Sequence, residues 1–260
     1  MELGLKDKKV FVTGGGRGIG RAIAMEFAKE GAKVAVSSRT ELDLTKLVEE
    51  MGGGKKGHYA VTADLTKEGA PKKVMKNIWE NFGRPDVLIN NVGDALGITD
   101  PLCPLSDWHK VFRINLEVAI ELNNLLIPEM LKKKWGRIVN IASTASMENN
   151  GPVTYCAAKA ALLAYTRSLG RVYAKDGIVI SAMIPGAVIG PKSYWDIALK
   201  ERSDHAAKYI RERCPLGRFG TPDEISAMVV LLCSQRATFC QGSIVPVDGG
   251  QSRHFFNTDF

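Results

Sequence analysis

Tyr155 and Lys159 stand four residues apart in a stretch with helical periodicity. On an α-helix that spacing puts them one turn apart on the same face. A phenol with its ordinary pKa of ~10 is a poor acid or base at neutral pH unless its anion is stabilised, and a neighbouring ammonium can do that. The pair therefore points to proton transfer at an oxygen. A second constellation lies near the start of the chain. Thr13-Gly14-Gly15-Gly16-Arg17-Gly18-Ile19-Gly20 follows an apolar run directly and opens an amphipathic stretch. Glycines there admit positive φ and let backbone N–H groups approach a phosphate, while the helix behind directs its positive dipole end at it. A glycine turn between strand and helix is the setting that a dinucleotide diphosphate requires. The spacing is G-x-x-x-G-x-G rather than the commoner G-x-G-x-x-G.

Such groups need a scaffold, and the chain alternates short apolar runs with stretches of 3.6-residue periodicity. Strands are predicted over 9–13, 33–38, 58–63, 86–90, 136–143, 178–184 and 243–247, and helices over 18–29, 42–51, 70–81, 105–133, 152–175 and 222–233. Thr40 is expected to cap the second helix. Near-continuous apolar strands with helices between them imply an α/β fold: one Rossmann-like doubly wound domain over 1–260, about seven parallel strands, helices on both faces. Residues 188–213 break the alternation where the chain leaves the sixth strand, and carboxyl ends of strands are where such sheets bind ligands. This segment is expected to be a mobile substrate lid. Tyr194, Trp195, Ile197, Ala198 and Leu199 would give it an apolar side, with Lys200, Glu201, Arg202 and Asp204 facing water. The substrate pocket should be bounded by 94–104, 146–153 and 188–213.

Composition narrows the class of partner. With 260 residues, 45% apolar and 24% charged, the chain can bury one sizeable core. No apolar run approaches the ~18 residues of a membrane span, so no membrane partner is expected. The cysteines (Cys103, Cys156, Cys214, Cys233, Cys240) are odd in number and scattered, which suits a reducing compartment and a cytoplasmic location. His58, His109, His205 and His254 lack ligand spacing, so no metal is expected. The net charge of +7 is spread along the chain, densest at 6–9, 72–76 and 132–134. Without a reader motif or stacking platform it does not imply nucleic acid.

The glycine turn resembles that of the short-chain dehydrogenase/reductase family, and the resemblance runs through nearly the whole chain in order. Asn90-Asn91-Val92-Gly93 is similar to the family's N-N-A-G motif, with valine in place of alanine. Asn115 matches its helix asparagine, Ser143 its strand-end serine, and Tyr155-Cys156-Ala157-Ala158-Lys159 its Y-x-x-x-K. Pro185-Gly186 and Val247-Asp248-Gly249-Gly250 complete the set. The resemblance implies hydride transfer between a nicotinamide and a carbonyl or alcohol carbon. Tyr155 would be the acid/base, Ser143 would donate to the substrate oxygen, Lys159 would favour the phenolate and orient the nicotinamide ribose, and Asn115 would fix a water joining Lys159 to solvent. Gly14, Arg17, Gly18, Ile19, Gly20, Asn91, Gly93, Pro185, Gly186 and a backbone contact at Val188 would hold the cofactor, with Asp64 and Leu65 at the adenine. The family often places a threonine five residues after the proline; here that position is Gly190.

The end of the second strand reads Ser37-Ser38-Arg39-Thr40, without the carboxylate that usually receives an NAD ribose. Arg39 can clamp a 2′-phosphate bidentately with Arg17 opposite, and Ser38 lies beside it. NADP is the expected cofactor. The expected substrate is a small-molecule carbonyl or alcohol. One alternative is a 3-oxoacyl group presented by an acidic carrier, received at Lys132–Lys134 near a pocket edge. Another is a non-catalytic NADP-sensing regulator, against which the full Asn115, Ser143, Tyr155 and Lys159 set weighs. The family's habit of pairing the two long helices between subunits implies a homo-oligomer, a tetramer, with Phe239 and the last strand as a second contact.

Overall fold

A computed structural model describes residues 1–148 and 150–253; Asn149, inside the anticipated pocket wall, and His254 lie outside the described residues. Among the described residues seven strands and nine α-helices follow one another: β1 Lys9–Thr13, α1 Gly18–Lys29, β2 Lys33–Ser38, α2 Glu41–Glu50, β3 Tyr59–Thr62, α3 Ala70–Asn81, β4 Val87–Asn90, α4 Leu105–Phe112, α5 Val118–Lys133, β5 Gly136–Ile141, α6 Val153–Val172, β6 Ile178–Pro185, α7 Tyr194–Glu201, α8 Ser203–Arg213, α9 Pro222–Cys233 and β7 Ile244–Val247. The strands form one parallel sheet in the order β3-β2-β1-β4-β5-β6-β7. The chain reverses direction across the sheet between β3 and β4, so β1 and β4 flank a switch-point crevice at their carboxyl ends.

Period-two alternation explains both faces. Val10, Val12, Val34, Val36, Val87 and Ile89 feed one core, completed by Ile23 and Phe27 of α1 and Ile225 and Val229 of α9. The residues between them, Phe11, Ala35 and Leu88, feed the other, completed by Val74 and Ile78 of α3 and Leu122 and Leu126 of α5. Each fully buried side chain of this size contributes roughly 1.5–3 kcal/mol, which holds the strand ends rigidly where the crevice opens. The capping box of α9 is complete, Thr221 accepting from the Glu224 N–H and Glu224 from the Thr221 N–H.

Several expectations change. Thr40 precedes α2 as expected but makes no side-chain cap; its N–H donates to the Ser38 hydroxyl instead. The helix expected over 105–133 is interrupted by a π-helical turn at Arg113–Glu117. There the Asn115 amide takes the Val111 carbonyl at 2.8 Å, while the Arg113 Nε donates to the Thr66 carbonyl at 3.1 Å. Side chains that claim backbone acceptors disturb the regular ladder at this point. The fifth strand ends at Ile141, two residues before Ser143, because its pairing with β6 stops at Met183 and the chain turns into a short 3₁₀ helix. The 152–175 helix ends at Val172, followed by a 3₁₀ turn at Ala174–Asp176.

Residues 188–213 contain the two helices α7 and α8. Ala198 and Ala206 are buried with Cys214 and Phe219 in a small separate core, against which Trp195 and Tyr209 pack. The expected apolar side of α7 is narrower than anticipated, since Tyr194, Ile197 and Leu199 remain exposed. Only residues one helical turn apart, Trp195 and Ala198, face the body. Among the described residues no helix is long and apolar enough to cross a membrane.

Candidate active site

A cleft of about 510 Å³ runs along the carboxyl ends of β1, β2, β4, β5 and β6. Its nucleotide end is formed by the glycine turn. Asn91 holds that turn in place: its amide donates to the carbonyls of Thr13 at 3.0 Å and Gly14 at 3.2 Å. The buried Thr13 hydroxyl, which sequence reasoning missed, donates to the Ile89 carbonyl and accepts from the Asn91 N–H, so it ties β1 to β4 beneath the turn. Gly18 has φ +54°, and a Cβ built there would meet nothing within 4 Å. A side chain would stand in the open space where a diphosphate lies against the amino end of α1. Arg17 and Arg39 also border the cleft, and neither has a carboxylate within salt-bridge distance among the described residues. Two uncommitted guanidinium groups beside a glycine cradle fit the extra phosphate of NADP.

Of the predicted site residues, Gly14, Arg17, Gly18, Ile19, Gly20, Ser38, Arg39, Asp64, Leu65, Asn91, Gly93, Ser143, Tyr155, Lys159, Pro185, Gly186 and Val188 all border this cleft. Asn115 does not. It lies buried behind Gly93, where its Oδ1 accepts from the Asp94 N–H at 3.1 Å and its amide donates to the Asp94 carbonyl at 2.7 Å. A Cβ at Gly93 would come within 2.7 Å of both the Asn115 Oδ1 and the Lys159 Nζ, so only glycine lets these two groups approach. Asp94, Ser193 and Trp195 also border the cleft. The Ser193 hydroxyl accepts from the Gly190 N–H at 3.2 Å, bringing a hydroxyl to the region where the threonine was missing. Its signal was present as an N-cap serine before α7.

At the catalytic end Tyr155 and Lys159 rise from α6, with Lys159 Nζ 5.7 Å from the Tyr155 ring centroid. Lys159 is buried, and its ammonium donates to the Ile141 carbonyl at the end of β5 at 2.8 Å. Burial pushes it down to about 8, against which the Asp94 charge acts. Burial pushes the Tyr155 phenol up to about 12, with the Ser143 hydroxyl acting in the opposite direction. Removing the phenolate's charge from water costs more than the neighbouring hydroxyl returns. This environment favours the protonated phenol. The Ser143 Oγ accepts from the Ala145 N–H at 3.2 Å, which leaves its own proton to give.

One sequence reading places its groups elsewhere. Lys132, Lys133 and Lys134 sit at the amino end of β5, opposite the cleft, so they do not border the pocket. A six-residue strand spans about 20 Å. Lys132 pairs with Glu129 and Lys133 with Asp86. His58 accepts the Val34 N–H, and His205 stacks on Trp195.

The sheet order, the cleft at its switch point and the tyrosine–lysine pair define a Rossmann-type, nicotinamide-dependent oxidoreductase. The family described as enoyl-(acyl carrier protein) reductase matches residues 14–252. The chain belongs to the short-chain dehydrogenase/reductase family. It is 33% identical to the 3-oxoacyl-(acyl-carrier-protein) reductase FabG of Aquifex aeolicus over 253 residues, covering 96% of this chain and 99% of that protein. It is 31% identical to the meso-2,3-butanediol dehydrogenase of Serratia marcescens, covering 94% of each. Among solved structures, the L-sorbose reductase of Gluconobacter frateurii with NADPH and L-sorbose superposes with a TM-score of 0.87 at 29% identity, covering 96% of this chain and 98% of that one.

Proposed function

We propose that the protein is an NADP-dependent reductase or dehydrogenase acting on a carbonyl or secondary alcohol carbon of a small to mid-sized organic molecule. The observation that carries this reading is the Tyr155 phenol beside Ser143 and Lys159, at one end of a cleft whose other end holds Arg17 and Arg39. NADPH, when bound, supplies the hydride from its nicotinamide ring. Ser143 and Tyr155 bind the substrate oxygen, and Tyr155 gives its proton as that oxygen becomes an alkoxide. Lys159 restores the proton from solvent, through a water that Asn115 would fix. A NADPH-bound sorbose reductase as a structural neighbour and a butanediol dehydrogenase as a relative support a hydroxylated substrate. The relation to 3-oxoacyl-carrier reductases keeps a carrier-bound ketone as the second reading, although Lys132–Lys134 cannot receive the carrier at the cleft.

Loss of NADPH absorbance against a panel of ketones tests the assignment. Tyr155→Phe is expected to lower kcat by about a hundredfold to ten-thousandfold with NADPH affinity nearly intact, and Lys159→Ala to damage both. Near-normal turnover by Tyr155→Phe would sink the mechanism. At the nucleotide end, Ser38→Asp with Arg39→Ser should lower kcat/KM with NADPH by about tenfold to a hundredfold and raise it with NADH. Equal use of NADH by the wild type would contradict the reading of Arg39.

The chain is further expected to work in a reducing, cytoplasmic setting as a homotetramer, with residues 188–213 as a lid over the substrate. Cysteine usage supports the first. Exposed Val153 and Val172 on α6, Leu105 on α4 and the wholly exposed Phe239 support the second.

A further inference from the structure

The catalytic end of the cleft carries one charged side chain that neither proton transfer nor the nucleotide uses. Asp94 follows Gly93 directly, and both polar groups of its backbone are clamped by Asn115. Its Oδ1 accepts from the Leu96 N–H at 2.9 Å, which fixes the carboxylate in a local turn. Its Oδ2 has no partner among the described residues, and no lysine or arginine pairs with it. Asp94 borders the cleft together with Ser143, Tyr155 and Lys159, and its charge is felt at both Tyr155 and Lys159. Trp195 borders the same cleft. A carboxylate accepts hydrogen bonds from hydroxyl groups, and an aromatic face packs on the carbon skeleton that bears them. The same carboxylate repels an acid group on a substrate.

We infer that Asp94 is a specificity-determining residue, its free oxygen accepting a hydrogen bond from a hydroxyl on a carbon next to the reacting carbonyl. The preferred substrates are then hydroxylated ketones and the corresponding polyols, and ketones with a carboxylate at that position are selected against. This rests on the carbonyl-reductase reading above and names its substrate class.

The test compares kcat/KM with NADPH for acetone, hydroxyacetone, aminoacetone and acetoacetate, in the wild type, Asp94→Asn and Asp94→Ala. The readout is each ratio to acetone, because any change in the Lys159 proton multiplies all four substrates alike. The wild type is expected to favour hydroxyacetone by about tenfold or more, the worth of one hydrogen bond to a charged group. Both variants should bring that ratio toward one and raise the ratio for acetoacetate. An unchanged hydroxyacetone ratio overturns the inference, as does a loss confined to aminoacetone, which would mark an ammonium site. Xylitol titrated calorimetrically into the NADP-loaded protein separates the two readings. If no ketone is consumed but xylitol binds and Asp94→Ala abolishes that binding, the reductase assignment fails and the carboxylate site stands. Xylitol binding that is absent or insensitive to Asp94→Ala overturns the site itself.

Discussion

Tyr155 and Lys159 show how one environment shifts two groups in opposite senses. Lys159 is buried and Tyr155 half-buried, and desolvation pushes each toward its neutral form, the phenol up to about 12 and the ammonium down to about 8. The consequence for pH dependence has a definite sign. Tyr155 keeps its proton throughout the neutral range, whereas Lys159 carries its charge only below about pH 8. Reduction therefore loses its proton supply as pH rises through that value. The expected profile of kcat for ketone reduction is flat near neutrality and falls above about pH 8. A rate that stays level well beyond that limb would show that the Lys159 proton is not drawn upon. Lys159→Arg tests the same point, since a guanidinium holds its charge across the whole range and any residual activity should lack the alkaline decline.

At the scale of elements, the π turn at Arg113–Glu117 and the pair α7–α8 do what regular structure could not. The turn lets Asn115 leave its helix and clamp the Asp94 backbone, and lets Arg113 reach the carbonyls of Leu65 and Thr66 at the adenine end. One irregular turn thus braces both ends of the cleft. The pair α7–α8 is a body with its own small core, joined to the sheet through Ala187, Ile189 and Phe219. Trp195 stacks on Phe219 with ring centroids 4.6 Å apart, while Tyr194, Ile197 and Leu199 leave apolar surface uncovered. A small unit with unspent apolar surface opens at low cost and gains burial over a ligand. Amide exchange in 188–213 is expected to slow about tenfold when NADP and a substrate analogue are added together, a change of roughly 1.4 kcal/mol in opening. Equal protection in both states would mean the segment is fixed and selection rests on a preformed pocket.

For the whole molecule, two cores on opposite faces of one sheet account for the monomer, but not for the apolar surface left outside. Phe239, wholly exposed near edge strand β7, and Val153 and Val172 on α6 are large side chains left exposed among the described residues. Symmetric pairing through such patches closes into dimers and dimers of dimers. Light scattering at micromolar concentration is expected to give four times the chain mass, and Phe239→Asp to reduce it. A monomeric wild type would refute the assembly.

The sequence by itself determined whatever depends on neighbours along the chain. The bounds of β1, β2, α1, α3 and α9 follow from local periodicity and caps, and the glycine turn announces its ligand because strand, turn and helix are contiguous. Tyr155 and Lys159 were legible as a pair because helical geometry alone brings them together. What only the tertiary structure decided depends on groups far apart in the chain. The Ile141 carbonyl that receives Lys159, the Asn115 grip on Asp94 and the placement of Ser193 in the cleft have no mark in local spacing. Lys132–Lys134 read as a basic run near a pocket until the sheet put them at its opposite end. The direction of the Tyr155 shift is of the same kind. Spacing supplies the neighbouring lysine, but the desolvation that raises the phenol is a property of the packed molecule, because it is set by every element that closes over the group.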